Sequence, residues 1–180
     1  NILKDLKNYN ELNIYFFTSK SNSKTISCNE NGYYMIYDSD RYGFNNPDTE
    51  WNFKEIDYVL IGDSFTFGAC VNRPDDIASN IRNISKKKVI NLGWGGNGPL
   101  SEYAILREYF PPKTKHIIWL YYENDLNDLK SELFNPFLKK YINDVNYSQN
   151  LKNRLDEIEK IQNYALEIIT KTDLSEKGRY

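Results

Sequence analysis

Three short apolar runs constrain this chain more than any other feature: Tyr58-Val59-Leu60-Ile61, Val89-Ile90-Asn91-Leu92 and His116-Ile117-Ile118-Trp119-Leu120-Tyr121. Runs of this length and composition fit strands buried on both faces of a parallel sheet. Between them lie helical stretches, one expected from Pro74 to about Ile84 and one from Pro99 to Tyr109, the second stopped by Pro111-Pro112. Proline suits the first turn of a helix and ends the next one it meets. The spacing of about thirty residues is that of βαβ units. The β-α-β-α-β order therefore predicts an α/β fold, three-layer α/β/α, with a parallel flavodoxin-like sheet between two helical layers.

In such sheets functional groups gather at the carboxyl ends of the strands. Here each strand ends in an unusual polar cluster: Gly62-Asp63-Ser64-Phe65-Thr66-Phe67-Gly68, then Asn91-Leu92-Gly93-Trp94-Gly95-Gly96-Asn97-Gly98, then Tyr122-Glu123-Asn124-Asp125. A serine in a strand-to-helix turn exposes its hydroxyl, and its own N–H can face a developing oxyanion. Glycines let further backbone N–H groups approach, and an asparagine carboxamide donates another hydrogen bond. Together these groups have the chemistry of acyl transfer through a tetrahedral intermediate. Ser64, Gly96 and Asn124 are the candidate site residues, with Asp63 and Asp125 as partners that fix their turns.

The three clusters, in order, resemble the first three sequence blocks of the SGNH (GDSL-like) serine hydrolases. Ser64 lies in GDSFTFG, Gly96 in NLGWGGNGP and Asn124 in YYENDLNDL, and the DSDRYGFNN lead-in is similar to that of bacterial members tied to surface-polysaccharide modification. The resemblance covers roughly residues 38–128. It implies hydrolysis of an acyl or acetyl ester, of a small molecule or a carbohydrate. Ser64 would be the nucleophile, and Ser64, Gly96 and Asn124 the oxyanion donors; no cofactor is implied. The chain departs from the family twice: Tyr122 stands where a glycine is usual, and the family's closing Asp-x-x-His pair is absent. The one histidine, His116, starts the third strand, on the order of 20–25 Å from the active rim at strand geometry. It is read as a structural residue and not as the base. The Asp-His pair is expected beyond residue 180, together with the later strands of the sheet. A serine without a base is a weak nucleophile, so these 180 residues alone are expected to show little esterase activity.

Two rival readings use the same residues. Gly93 to Gly98 matches G-x-G-x-x-G between a strand and a helix, the pattern of a nucleotide-binding turn, although Trp94 and Pro99 suit it poorly. A non-catalytic polysaccharide-binding or scaffold protein could keep the same shell, with its aromatics stacking on sugars. Asp38-Ser39-Asp40 and Gly43 partly match a calcium loop, but its twelfth position is Thr49 and not Glu. A polar turn is expected there, and no metal.

The remaining sequence bounds the organisation. An N-terminal extension, residues 1–56, carries a hairpin (Thr25 to Cys28 and Tyr33 to Tyr37 about Asn29-Glu30-Asn31-Gly32) and a loop from Asp38 to Asn52. The partial α/β domain covers 57–180. Within it, residues 126–150 read as an insertion of short helical pieces shaping the substrate pocket. Leu151 to Lys171 reads as an amphipathic helix packed on the sheet. Lys and Arg number 23 against 25 Asp and Glu, and the densest basic run, Lys86-Lys87-Lys88, falls on a turn. That pattern gives no basic face for nucleic acid. No apolar run approaches the roughly 18–20 residues that cross a bilayer. Cys28 and Cys70 can form one disulfide, and their count leaves the redox compartment open.

Overall fold

The computed structural model describes residues 13–30 and 32–177. The chain divides into two compact units, Phe17–Ser148 and the pair of segments Asn1–Phe16 and Gln149–Tyr180.

The larger unit is built on a parallel sheet of three strands, β3 (Ile56–Ile61), β4 (Val89–Asn91) and β5 (Thr114–Trp119), in the order β4-β3-β5. Val59, Leu60 and Ile61 at its centre are wholly buried. Because side chains alternate along a strand, Tyr58 and Leu60 share one face. There Leu60 and Val89 pack with Ala78 of α2 (Ile77–Ser85), joined by Ile81 and Ile118. The opposite face meets α3 (Pro99–Tyr109), where Trp119 Nε1 donates to Glu102 at 2.6 Å. A parallel α/β sheet with a helix on each face is thus present.

Several boundaries differ from the sequence reading. Helix α2 starts at Ile77 and not at Pro74, because the Asp76 side chain accepts the Ser79 N–H and caps the first turn. β5 begins two residues early and ends at Trp119, although Leu120 N still donates to Ile61 O. The hairpin pairs β1 (Lys24–Ile26) with β2 (Ile36–Asp38), Thr25 opposite Tyr37, and bonds between Ser27 or Cys28 and Met35 extend it. Tyr33 and Tyr34 lie outside that ladder and are exposed. Asn31 of its turn lies outside the described residues. The insertion forms α4 (Asp125–Glu132) and α5 (Pro136–Asn143).

The loop from Asp38 to Asn52 is ordered around one buried carboxylate. Asp40 accepts the Tyr42 and Phe44 N–H groups, Asn46 Nδ2 and Trp51 Nε1 at 2.7–2.9 Å. Both of its oxygens therefore accept from protein donors. The same loop closes the outer edge of β4. Asn46 pairs with the Asn91 backbone through both ends of its carboxamide, and Glu50 accepts the Val89 N–H. Side chains replace a neighbouring strand there.

In the smaller unit, Asn150 takes a left-handed conformation before a 3-10 turn, Leu151–Asn153. The helix α6 then runs over Leu155–Lys177. The amphipathic helix expected from Leu151 is therefore broken near Arg154, whose carbonyl accepts from Glu157 and Ile158. Leu151, Ile158 and Ile161 are buried. Among the described residues no helix is long and apolar enough to cross a membrane.

Candidate functional site

The first cluster folds as a single helical turn, α1 (Ser64–Phe67), entered directly from β3. Asp63 is buried and caps it, its Oδ1 accepting the Phe65 N–H at 3.0 Å. Ser64 is therefore the first helical residue, half-buried, with its Oγ 3.4 Å from Asp63 Oδ2. Asp63 thus fixes the turn through Oδ1, and its Oδ2 accepts from the Ser64 hydroxyl.

The second cluster lies against the first. A Cβ on Gly93 would fall 2.4 Å from Phe67 N, a distance no side chain tolerates, so only glycine lets this turn reach α1. A Cβ on Gly95 would stand 3.7 Å from Ser64 Cβ. Gly96 is exposed, holds φ at +80°, and has open space where a side chain would be. Asn91 ties the two turns together: its Nδ2 donates to Thr66 O at 2.6 Å and its Oδ1 accepts the Gly93 N–H at 2.8 Å. The N–H groups of Ser64 and Gly96 meet no hydrogen-bond acceptor among the described residues.

The third cluster adjoins both. The Phe65 and Tyr122 rings lie 4.8 Å apart, so Tyr122 packs on the residue after Ser64. Asp125 is buried and accepts the Tyr122 N–H at 2.7 Å, closing the turn that carries Asn124. Asn124 is exposed, and one of its two carboxamide N–H bonds goes to Asp128 Oδ2 at 3.1 Å. The three turns are neighbours at the carboxyl edge of the sheet, with Gly95 beside Ser64 and Tyr122 beside Phe65. His116, midway along the edge strand β5, pairs with Tyr58, is exposed, and stacks on that ring at 5.4 Å.

Two carboxylates that sequence reasoning did not single out hold this edge from beneath. Glu132, at the end of α4, accepts the N–H groups of Gly98, Leu100 and Ser101 at 2.8–3.1 Å. It caps α3 and joins the glycine turn to the helix that follows Asn124. The helix N-terminus that would bind a pyrophosphate is thus already filled by a carboxylate of the chain itself. Glu102 is wholly buried on α3. Burial pushes its carboxyl up to about 7, against the pull of the Trp119 hydrogen bond, and Asp125, Asp63 and Glu132 add to the rise. Asp125 is also raised by burial, against the pull of the Tyr122 N–H, with Asp63, Asp128 and Glu132 adding to it. Capping carboxylates thirty residues away leave no local signal in a sequence.

Among the described residues no group of three His, Cys, Asp or Glu side chains is placed to hold a metal ion. Comparisons with protein-family models, with curated proteins and with solved structures found no match.

Proposed function

We propose that this chain is the nucleophile-bearing part of an SGNH-type serine hydrolase acting on an ester. One observation supports the reading: a half-buried serine opens a helical turn that lies against the glycine turn at Gly95, and the turn carrying Asn124 adjoins it through the Tyr122–Phe65 contact. Ser64 Oγ attacks the ester carbonyl and loses its proton to a base. The carbonyl oxygen becomes an oxyanion, which accepts from Ser64 N–H, Gly96 N–H and the Asn124 carboxamide. Collapse expels the alcohol, which takes the proton back, and water then releases the acyl group by the same steps.

The base is the part these residues lack. Asp63 caps the turn through Oδ1 and accepts from Ser64 Oγ through Oδ2 at 3.4 Å, and His116 sits mid-strand on Tyr58. A histidine supplied from outside the 180 residues completes the proposal, which is why they are expected to be nearly inactive by themselves. A fluorophosphonate probe applied to the full-length protein tests it. Covalent label at Ser64, lost in Ser64→Ala, supports the hydrolase. An unlabelled Ser64 in protein that carries the extra histidine sinks it and leaves the scaffold reading. The nucleotide-binding reading loses its main support, because Glu132 occupies the N-terminus of α3.

A further inference from the structure

Glu102 on α3 and Asp125 at the start of α4 are both wholly buried. Each uses one oxygen to hold the stretch of chain that runs from the end of β5 to Asn124. Glu102 Oε2 accepts the indole N–H of Trp119, the last residue of β5, at 2.6 Å. Asp125 Oδ2 accepts the Tyr122 N–H at 2.7 Å. The second oxygen of each, Glu102 Oε1 and Asp125 Oδ1, is shielded from solvent and meets no donor among the described residues. Burial raises the Glu102 carboxyl most; of the neighbouring charges, that of Asp125 adds most, then those of Asp63 and Glu132.

Two buried carboxylates with an idle oxygen apiece are costly to charge together, because both have lost water and each repels the other. A proton on one of them removes the repulsion and turns an idle acceptor into a donor. Asp125 opens α4, where a helix terminus favours negative charge. The start of α3, on which Glu102 sits, is already taken by the Glu132 carboxylate. Glu102 makes no ion pair among the described residues. Asp125 and Glu132 from α4 and Asp63 from the turn after β3 face it as acids, and β5 contributes the neutral Trp119. Helix α5 meets α3 further along, where Tyr141 donates to Glu108. The proton therefore belongs on Glu102.

We propose that Glu102 is a positioning residue: its protonated carboxyl, acting with the Asp125 carboxylate, sets the turn that carries Asn124, and its ionisation releases that turn. The part of Asn124 as an oxyanion donor rests on the hydrolase reading, whereas this coupling does not. The test is an NMR titration of the full-length protein from about pH 5 to 9. It is read at the Trp119 indole N–H, the Tyr122 amide and the Asn124 carboxamide. All three should shift with one common midpoint near 7. Glu102→Gln keeps an acceptor for Trp119 and cannot ionise. It should abolish that midpoint and leave the Tyr122 and Asn124 signals at their low-pH positions throughout. Asp125→Asn removes the neighbouring charge and should lower the midpoint by about one pH unit or more. A Trp119 signal without inflection in this range overturns the proposal. So does one that titrates while Tyr122 and Asn124 stay still, a midpoint that survives Glu102→Gln, or one that folded Asp125→Asn does not lower. Should Asp125→Asn unfold, the Glu102→Gln titration decides. On the hydrolase reading, kcat for a small ester should fall above the midpoint by up to about tenfold per pH unit, with KM little changed, and Glu102→Gln should remove that fall. Coupled signals in protein whose Ser64 resists fluorophosphonate would reject the hydrolase and keep the coupling. A labelled Ser64 with uncoupled signals would do the reverse.

Discussion

Asn124 and Glu132 sit at the two ends of one short helix and act on the site in different ways. Asn124 offers a second N–H that Asp128 does not use. On the proposed hydrolase reading, Asn124→Ala in the full-length protein should lower kcat by about a hundredfold or more, the usual loss for one oxyanion donor. KM for a small ester should change little. Glu132 touches no substrate in this scheme, yet it satisfies three buried N–H groups at the start of α3. Glu132→Ala leaves them unpaired and should cost about 2–4 kcal/mol in urea unfolding. A loss below about 0.5 kcal/mol would show that water replaces the carboxylate at little cost.

At the level of elements, the hairpin is the piece whose placement depends on a covalent tie, the Cys28–Cys70 disulfide to the segment just after α1. Replacing Cys28 and Cys70 together by serine should lower stability by about 2–4 kcal/mol, the common range for a disulfide. Its apolar cluster with Phe67 and its hydrogen bonds to Asn72 and Arg73 remain, so the fold should survive, with faster amide exchange at Thr25 and Tyr37. The central strand and the proline-led helix α3 were legible in sequence because burial on both faces and a proline start are local signals. The start of α2 was misread because Asp76, a stronger local stop than Pro74, caps it. The turns bearing Ser64 and Gly96 could be read from serine and glycine beside a buried strand. What joins them could not. Asn91 reaches Thr66 across 25 positions and Glu132 reaches Gly98 across 34, distances at which sequence pattern carries no pairing information.

For the molecule as a whole, the buried acids set a pH dependence of stability. Glu102 binds its proton up to about 7 when folded, against an unfolded value of 4.5. Between these values the folded state holds more protons than the unfolded state, so stability falls as pH rises through the window and levels off above it. Two and a half pH units set a ceiling of about 3 kcal/mol. Asp125, raised from 3.8, adds in the same direction. Unfolding followed from pH 4.5 to 8 should show this decline, and Glu102→Gln should flatten most of it while keeping an acceptor for Trp119. An unchanged slope would assign the dependence to other groups.

The two borders of the sheet are unlike. Asn46 and Glu50 occupy the polar backbone groups along β4. Beyond β5 no strand follows among the described residues, and Ile117 and Trp119 remain 46% and 43% accessible. Enlargement of this architecture is therefore one-directional: an incoming strand, whatever its origin, finds a hydrogen-bonding row beside β5 and a blocked one beside β4.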